Sequence, residues 1–590
     1  MSGAIQTEVA GALLAGFADA GVRDVVVSPG SRNTPFVLAA RDAGLSIHVV
    51  IDERAAAFFA LGMARVTGRP VLLSCTSGSA GAHYFPAVVE ASSAHVPLLV
   101  LTADRPHDAA ACGAPQTIDQ VGLFGRHVRS FQDVAVPDER TSQLDAAMRV
   151  ASQAVATSLS PDPGPVHVNV RAAKPLEPTA PTTDAERAFH AARRAAVARG
   201  TTRVWRAVAP ADEAAIEALA QSCRHAERGL IVAGPASLDR RAERAAVFAL
   251  ARATGFPLAA DATSQLRFVG GSVPDGVVVA DGLASCLGQS RVRAALAADL
   301  VIQIGEPPVA SGWESYCAEQ RARERWVIAP HGWCDPYGRA DARIVAEVGP
   351  TAAALARRLE TRPVRATHAW TLEARAVSDA WWRAIERADD GGFDETNVVR
   401  DTVAALPPGA LLVVGNSRVV RLLESCRAPS AEVAVMSQRG ASGIDGLVAG
   451  AAGAAHAWTG PVALLIGDVS FVHDVGALAI ARTIARPVVI VVVNNDGGRI
   501  FEDLPVARAW GARPEPWTTP HALDLARIAG AFDVAASRVT STSALRAAIG
   551  EAWDRRGATL VEACVPASAE RARKQRMEDA LDAASKERTA

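Results

Sequence analysis

At 590 residues, 49% of them hydrophobic, the chain is too long for a single core and long enough to bury three or four. Its 61 basic and 63 acidic residues nearly cancel, which argues against a general nucleic-acid or anionic-membrane surface. Lysine occurs only at Lys174, Lys574 and Lys586, which nearly excludes Schiff-base catalysis; eight scattered cysteines without a Cys-x-x-Cys pair offer neither a zinc site nor a disulfide framework.

The N-terminus, Met1 to Glu8, has no basic region, so no signal peptide is expected. The apolar runs are all well short of the ~18 residues a membrane span needs, and a soluble, cytoplasmic protein is the expectation. The first α/β segment has strands predicted at Asp24–Ser28, Ile47–Ile51, Val71–Cys75, Val96–Thr102 and Val166–Val170. Short continuous Val/Ile/Leu runs alternating with helical patterns predict a parallel sheet covered on both faces. A breaker-rich joint, Glu177 to Thr183, leads into an Ala/Arg-rich connector that reads as a surface helix.

The second segment opens with Gly229 to Pro235 and continues through Leu300–Gly305 and Trp326–Ala329. It reads as Rossmann-like but lacks the G-x-G-x-x-G fingerprint, so no dinucleotide is expected there. The third runs from near Asn397 to about Val565, and the residues after Pro566 read as a charged tail, either a surface helix or a frayed end. The expected fold class is therefore α/β, with three Rossmann-like, doubly wound parallel-sheet domains at 1–185, 200–362 and 390–566 and a tail at 567–590. Two similar domains flanking a middle one fit a gene duplication, although no sequence repeat is visible.

The third segment carries the most specific pattern. Gly467-Asp468 follows the run Val462–Ile466, a helix is predicted from about Val472 to Ile484, and Asn494-Asn495-Asp496-Gly497-Gly498 follows the run Pro487–Val493. Such strand ends are where open α/β sheets bind ligands. A carboxylate, an amide oxygen and a Gly-loosened carbonyl are hard oxygen ligands of the kind Mg²⁺ takes, with phosphate completing the shell. Manganese accepts the same ligands. In the first segment, Glu53 stands in the first turn of a predicted helix, where a carboxylate is favoured by the helix dipole whatever else it does.

These stretches resemble the thiamine diphosphate-dependent decarboxylase superfamily, and within it the 2-succinyl-5-enolpyruvyl-6-hydroxy-3-cyclohexene-1-carboxylate synthases (the MenD family). Asn495 follows Asp468 by 27 residues, the spacing of that superfamily's cofactor signature. The similarity also rests on Ser28–Arg32, Asp52–Arg54, Cys75–Gly78, Thr102–Pro106 and Gly113–Gln116. In the last domain it rests on Val414–Arg421, Arg439–Gly446, Gly467–Ser470 and Asn494–Phe501. It implies that Glu53, in a different domain from Asp468, activates the cofactor's aminopyrimidine ring by hydrogen-bonding N1′. Asp468, Asn495 and the Gly497 carbonyl would hold Mg²⁺ (or Mn²⁺) against the diphosphate. Gly440, Ser442, Gly443, Val469 and Ser470 would line the cofactor, Ile444 would enforce its bent shape, and Ile500 and Phe501 would wall the site.

The implied reaction is decarboxylation of 2-oxoglutarate and conjugate addition of the succinyl carbanion to isochorismate, in menaquinone biosynthesis. Ser417 and Arg421 match residues on the oxoglutarate side; Arg32, Arg105 and Gln116 match the isochorismate side, with Arg439 also lining the pocket. Planar guanidinium groups suit such dicarboxylates. Taken singly, each Arg also reads as a solvated charge, and Asn416 and Ser417 as a helix cap. Split sites of this kind are usually built between subunits, so a homodimer or homotetramer is expected.

The chain departs from the family in the middle domain. A basic residue usually follows the strand ending near Gly305, and here the run Glu306 to Gly312 has none. Loss of a charge-assisted hydrogen bond would weaken acceptor binding by on the order of 1.5–3 kcal/mol, which keeps open a carboligase with another acceptor. Arg321 or Arg323 offers compensation. A non-catalytic cofactor-binding relative is a further alternative, and retention of Glu53, Asp468 and Asn495 counts against it.

Overall fold

The computed structural model describes residues 3–208, 211–319, 322–360, 368–509 and 515–587. Among these residues, strands assemble into three sheets in which every strand pairing is parallel. The first sheet comprises β1 (Asp24–Val27), β2 (Ser46–Val49), β3 (Val71–Cys75), β4 (Leu98–Asp104), β5 (Ser130–Val134) and β6 (Pro165–Arg171), in the order β2-β1-β3-β4-β6-β5. The second comprises β7 (Gly229–Ala233), β8 (Leu258–Ala260), β9 (Leu300–Ile304), β10 (Glu324–Ile328) and β11 (Ala342–Ile344), in the order β11-β10-β9-β7-β8.

The third sheet comprises β12 (Leu411–Val414), β13 (Ala434–Ser437), β14 (Val462–Gly467), β15 (Pro487–Asn494), β16 (Ala535–Val539) and β17 (Gly557–Cys564), in the order β13-β12-β14-β15-β17-β16. Renumbered from its own first strand, this is the order of the first sheet. The duplication expected from the domain pattern is thus visible in topology. The central strands β3, β4, β12 and β15 are almost wholly buried, which is why they read as continuous apolar runs rather than alternating ones.

By internal contacts the chain divides into two compact units. One holds Met1–Arg206, Gln438–Thr459 and His473–Arg486; the other holds Ala207–Ser437, Gly460–Val472 and Pro487–Ala590. In the first unit, the helix Leu447–Ala457 packs on the helix Glu53–Thr67 through a glycine seam. A Cβ added to Gly62 would lie 2.0 Å from the Gly450 carbonyl oxygen, and one on Gly453 would lie 1.9 Å from that of Phe59.

The structure breaks one predicted helix, adds one strand and decides between the two readings of the tail. The helix foreseen over Val472–Ile484 is broken into Asp468–His473, a 3₁₀ turn at Val475–Ala477 and a short helix at Leu478–Ala481. The break falls at Asp474, whose carboxylate accepts from the Val448 and Ala449 amides at 2.7 and 2.9 Å, occupying the start of the neighbouring helix. Strand β5 had no counterpart in the sequence reading. The segment after Pro566 forms a helix, Ala569–Glu587, with Glu570 and Arg573 buried. Arg573 pairs with Asp394 at 3.0 Å, and Glu570 accepts from Thr396. Two of its charges are taken up by residues ~175 positions earlier, Arg573 in an ion pair and Glu570 in hydrogen bonds from Thr396.

Candidate active site

In the first sheet the strand order reverses between β1 and β3, and the crevice outside the carboxyl ends of such strands is the expected ligand site. Arg32 follows β1, and its backbone amide donates to Thr76 Oγ1 after β3 at 3.2 Å. The Arg32 side chain is 5% exposed and donates to the Ala172 carbonyl at 2.6 Å. Burial and the nearby Arg105 guanidinium push its pKa down, a like-charge pairing that an anion would relieve.

Arg105 follows β4; Arg171 donates to its carbonyl at 2.9 Å, and its own Nε is buried without a partner. Gln116 is held by Ser77, which donates to its carbonyl at 3.0 Å, and Gly78 is tight against its side chain. The three acceptor-side candidates thus sit after β1 and β4, the two strands that flank β3, or on Ser77 and Gly78. Gln116 adopts φ +56°, as Ser417 (+66°) and Ser442 (+61°) also do in their own loops. Non-glycine residues rarely occupy this region, and such strain gathers at functional sites.

Glu53 opens its helix with Asp52 as N-cap, accepting from the Arg54 amide. It is half-buried, and its charge acts on the buried Cys75 thiol and Tyr84 hydroxyl, which burial pushes up, the thiol to about 12. The loop Arg439–Ile444 lies in the same compact unit. The Gly440 and Ala441 amides donate to buried Glu90 at 3.0 and 2.6 Å, and Glu90 also pairs with Arg65. Ser442 donates to the Arg439 carbonyl, and Ile444, like Arg439 and Gly443, is half-buried.

In the third sheet the order reverses between β12 and β14, and the remaining candidates gather there. Ser417 N-caps the short helix Arg418–Leu422, but its side chain makes no capping hydrogen bond. Arg421, on that helix, is exposed and donates to the Ser417 carbonyl at 2.5 Å. Asp468, at the end of β14, is 2% exposed; it accepts from the Val469 and Gly497 amides, each at 2.8 Å. Burial raises its pKa, and those amides and His521, 3.3 Å away, oppose the rise. Ser470 is buried, and Ile500 and Phe501 lie half-buried on the turn Arg499–Asp503.

Asn495 is 7% exposed, and its Nδ2 donates to Glu395 at 2.6 Å. Its Oδ1 is buried with no partner. An orphaned amide oxygen at a strand end costs free energy unless something electropositive meets it. Gly497, at φ +122°, has no room for a side chain, because a Cβ would lie 2.0 Å from the Thr518 carbonyl oxygen. A buried carboxylate, an unpaired amide oxygen and a glycine-shaped backbone form an all-oxygen donor set, and these residues fit a hard divalent cation carrying a diphosphate.

Two residues here have no role in the sequence reading, Glu395 and Arg418. Glu395 accepts both from Asn495 and from Arg418, the latter at 2.8 Å. Arg418 also pairs with Asp503 at 3.1 Å and donates to the Arg499 carbonyl, so it joins the Ser417 helix to the Ile500 turn. The only local clue to Glu395 was an acidic first turn after a polar joint, which reads as a helix start.

In the second sheet the loop after β9 carries no basic side chain, as expected; Glu306 there accepts from Cys334 Sγ at 3.2 Å. Arg323 borders a cavity of about 230 Å³ lined also by Trp313, Arg325, Arg339 and Asp341. Arg321 lies outside the described residues. Among the described residues no helix is long and apolar enough to cross a membrane.

Three parallel sheets with polar strand ends at the switch points of the first and third define an enzyme of the thiamine diphosphate type. Comparison with known families agrees: thiamine pyrophosphate enzyme N-terminal TPP-binding, middle and C-terminal TPP-binding domains match residues 7–123, 200–414 and 419–563. The chain is 46% identical over 563 residues to the 2-succinyl-5-enolpyruvyl-6-hydroxy-3-cyclohexene-1-carboxylate synthase of Sorangium cellulosum, covering 93% of this chain and 91% of that protein. It is 40% identical over 521 residues to the synthase of the same name from Geobacillus kaustophilus, covering 88% of each. To that of Halobacterium salinarum it is 36% identical over 585 residues, covering 95% of this chain and 96% of the other. The chain belongs to the thiamine diphosphate enzymes and, within them, to the 2-succinyl-5-enolpyruvyl-6-hydroxy-3-cyclohexene-1-carboxylate synthase family.

Proposed function

We propose that the protein decarboxylates 2-oxoglutarate and transfers the four-carbon remnant to isochorismate, giving 2-succinyl-5-enolpyruvyl-6-hydroxy-3-cyclohexene-1-carboxylate for menaquinone biosynthesis. Thiamine diphosphate, when bound, supplies the electron sink that makes loss of CO₂ and carbon–carbon bond formation possible. Asp468, Asn495 and the Gly497 carbonyl hold the Mg²⁺ or Mn²⁺ that anchors its diphosphate. Glu53 holds the proton at N1′ of the aminopyrimidine. Gly440, Ser442, Gly443, Ile444, Val469, Ser470, Ile500 and Phe501 shape its bed and keep water out.

Arg421 and Ser417 bind the distal carboxylate of the oxoacid, and Arg32, Arg105 and Gln116 orient the acceptor, with Arg439 beside them. Guanidinium forks pair with planar carboxylates at fixed geometry, which brings the two carbon centres together in one orientation. The domain division at 1–185, 200–362, 390–566 and 567–590, a cytoplasmic location and a homodimeric or homotetrameric assembly belong to the same reading.

The observation that carries it is the orphaned, buried Asn495 Oδ1 beside Asp468 at adjacent strand ends. The test supplies purified protein with thiamine diphosphate and Mg²⁺ and follows 2-oxoglutarate and isochorismate together. Equal consumption of both is expected. Oxoglutarate loss with isochorismate unchanged would transfer the proposal to another acceptor, and no loss of either would end it.

A further inference from the structure

Three side chains that the reaction does not use converge at one edge of the first sheet. Asp24 opens β1, His48 lies in the edge strand β2, and His456 stands in the last turn of the helix Leu447–Ala457. His48 Nε2 is 3.0 Å from Asp24 Oδ1. The two imidazoles meet edge to face, with centroids 4.4 Å apart and planes at 73°. One potential ligand atom from each residue lies within 4.8 Å of the others. Phe59 backs both rings, its centroid 6.0 Å from each.

We propose that Asp24, His48 and His456 form a binding site for a divalent transition metal of the Zn²⁺ class, separate from the site that holds the cofactor's cation. An ordinary ion pair accounts for Asp24 and His48 but not for His456. That residue is exposed, yet its ring is set against His48. Around a four-coordinate Zn²⁺, with bonds of about 2.0–2.1 Å, neighbouring donor atoms sit roughly 3.3 Å apart. The Asp24–His48 pair already has nearly this separation, and His456, exposed at a helix end, is free on its solvent side to close the remainder.

Two imidazoles and one carboxylate suit Zn²⁺, Ni²⁺ or Cu²⁺ and are poor ligands for Mg²⁺. Metal binding needs neutral imidazole. The apolar backing from Phe59 keeps one side of the site dry. A metal here would tie β1 and β2 to the end of the helix that follows the Arg439–Ile444 loop.

The experiment uses the full chain, saturated with thiamine diphosphate and Mg²⁺ so that the cofactor site is filled, and titrates Zn²⁺ against a chromogenic chelator. One Zn²⁺ per chain is expected, weakened roughly tenfold or more in His48→Ala and His456→Ala. Co²⁺ should develop visible ligand-field bands in the unaltered protein and not in His456→Ala. His456 is exposed, so this variant should unfold at the same temperature as the unaltered protein without metal, while Zn²⁺ raises the midpoint of the unaltered protein alone. Equal Zn²⁺ affinity and stoichiometry in His456→Ala, or no binding by the unaltered protein, would overturn the proposal.

Discussion

Asn495 donates its side-chain amide to the buried carboxylate of Glu395 at 2.6 Å, which decides which end of that amide is left over. Because Nδ2 is committed to Glu395, Oδ1 is the end presented at the strand terminus, the end a hard cation takes. Arg418 donates to the same Glu395 oxygen, Oε1, at 2.8 Å and so helps hold the carboxylate in place.

Glu395→Ala should therefore weaken Mg²⁺ binding in the presence of thiamine diphosphate by roughly 10–100-fold, the usual effect of removing a group that orients a metal ligand. Glu395→Gln keeps an acceptor oxygen for Asn495 and should lose less. The Mg²⁺ concentration giving half-maximal cofactor binding, followed by near-ultraviolet circular dichroism, separates the two. Equal midpoints for all three proteins would show that the bond to Glu395 does not set the amide.

Glu53→Gln tests the other half of the cofactor assignment. The substitution keeps size and removes the exchangeable carboxyl proton, so turnover should fall by about 10²–10⁴ while Mg²⁺-dependent cofactor binding changes little. Retention of full activity would remove Glu53 from the mechanism.

The two arginine groups should fail independently. Arg421→Ala should raise KM for 2-oxoglutarate and Arg105→Ala KM for isochorismate, each by about 10–100-fold, from loss of a charge-assisted bond worth roughly 1.5–3 kcal/mol. If either variant raised both constants equally, the division of labour between the strand ends would be wrong.

How much of this was legible in the sequence depends on range. Strands such as β3 (Val71–Cys75) and β15 were readable because buried parallel strands leave continuous apolar runs, and Asp468 and Asn495 because they end such runs, whereas Arg32 was reached through the family resemblance. Glu395, Glu90 and Asp474 were not readable. Glu90 meets Gly440 across 350 residues and Glu395 meets Asn495 across 100, and no local pattern encodes such pairings. The helix foreseen over Val472–Ile484 failed for the same reason: Asp474 is held by the amides of another helix. Strand β5 (Ser130–Val134) is only half-buried, so it never produced an apolar run.

His167 gives a pH dependence with a definite sign. It is fully buried in β6, and Thr102 Oγ1 donates to Asn169 and so accepts from His167 Nε2, 2.8 Å away. Its Nδ1 is left bare with no partner, and burial pushes the pKa down to about 4. With the folded value below the unfolded one, this stabilising contribution is complete above about pH 6.5 and is lost as pH falls towards 4. The loss is at most roughly 3 kcal/mol. His167→Gln, which can still donate to Thr102, should flatten unfolding free energy over that interval, measured by denaturant titration at pH 7, 5.5 and 4.5. An unchanged slope would mean that another group governs acid stability.

The glycine seam makes the most direct prediction about packing. At Gly453 a Cβ would meet a main-chain oxygen at 1.9 Å, and backbone, unlike a flexible side chain, cannot turn aside. The helices Glu53–Thr67 and Leu447–Ala457 must then separate along a contact that also includes Gly62 and Gly450. Gly453→Ala should destabilise by roughly 1–3 kcal/mol despite alanine's better helix propensity. Gly550, inside the helix Thr542–Trp553, has nothing within 4 Å of an added Cβ. Gly550→Ala should stabilise by about 0.5–1 kcal/mol, because only the propensity term remains. Opposite shifts of the unfolding midpoint in the two variants would isolate close approach as the reason for glycine at 453. Stabilisation by both would mean that the two helices are not packed this closely in solution.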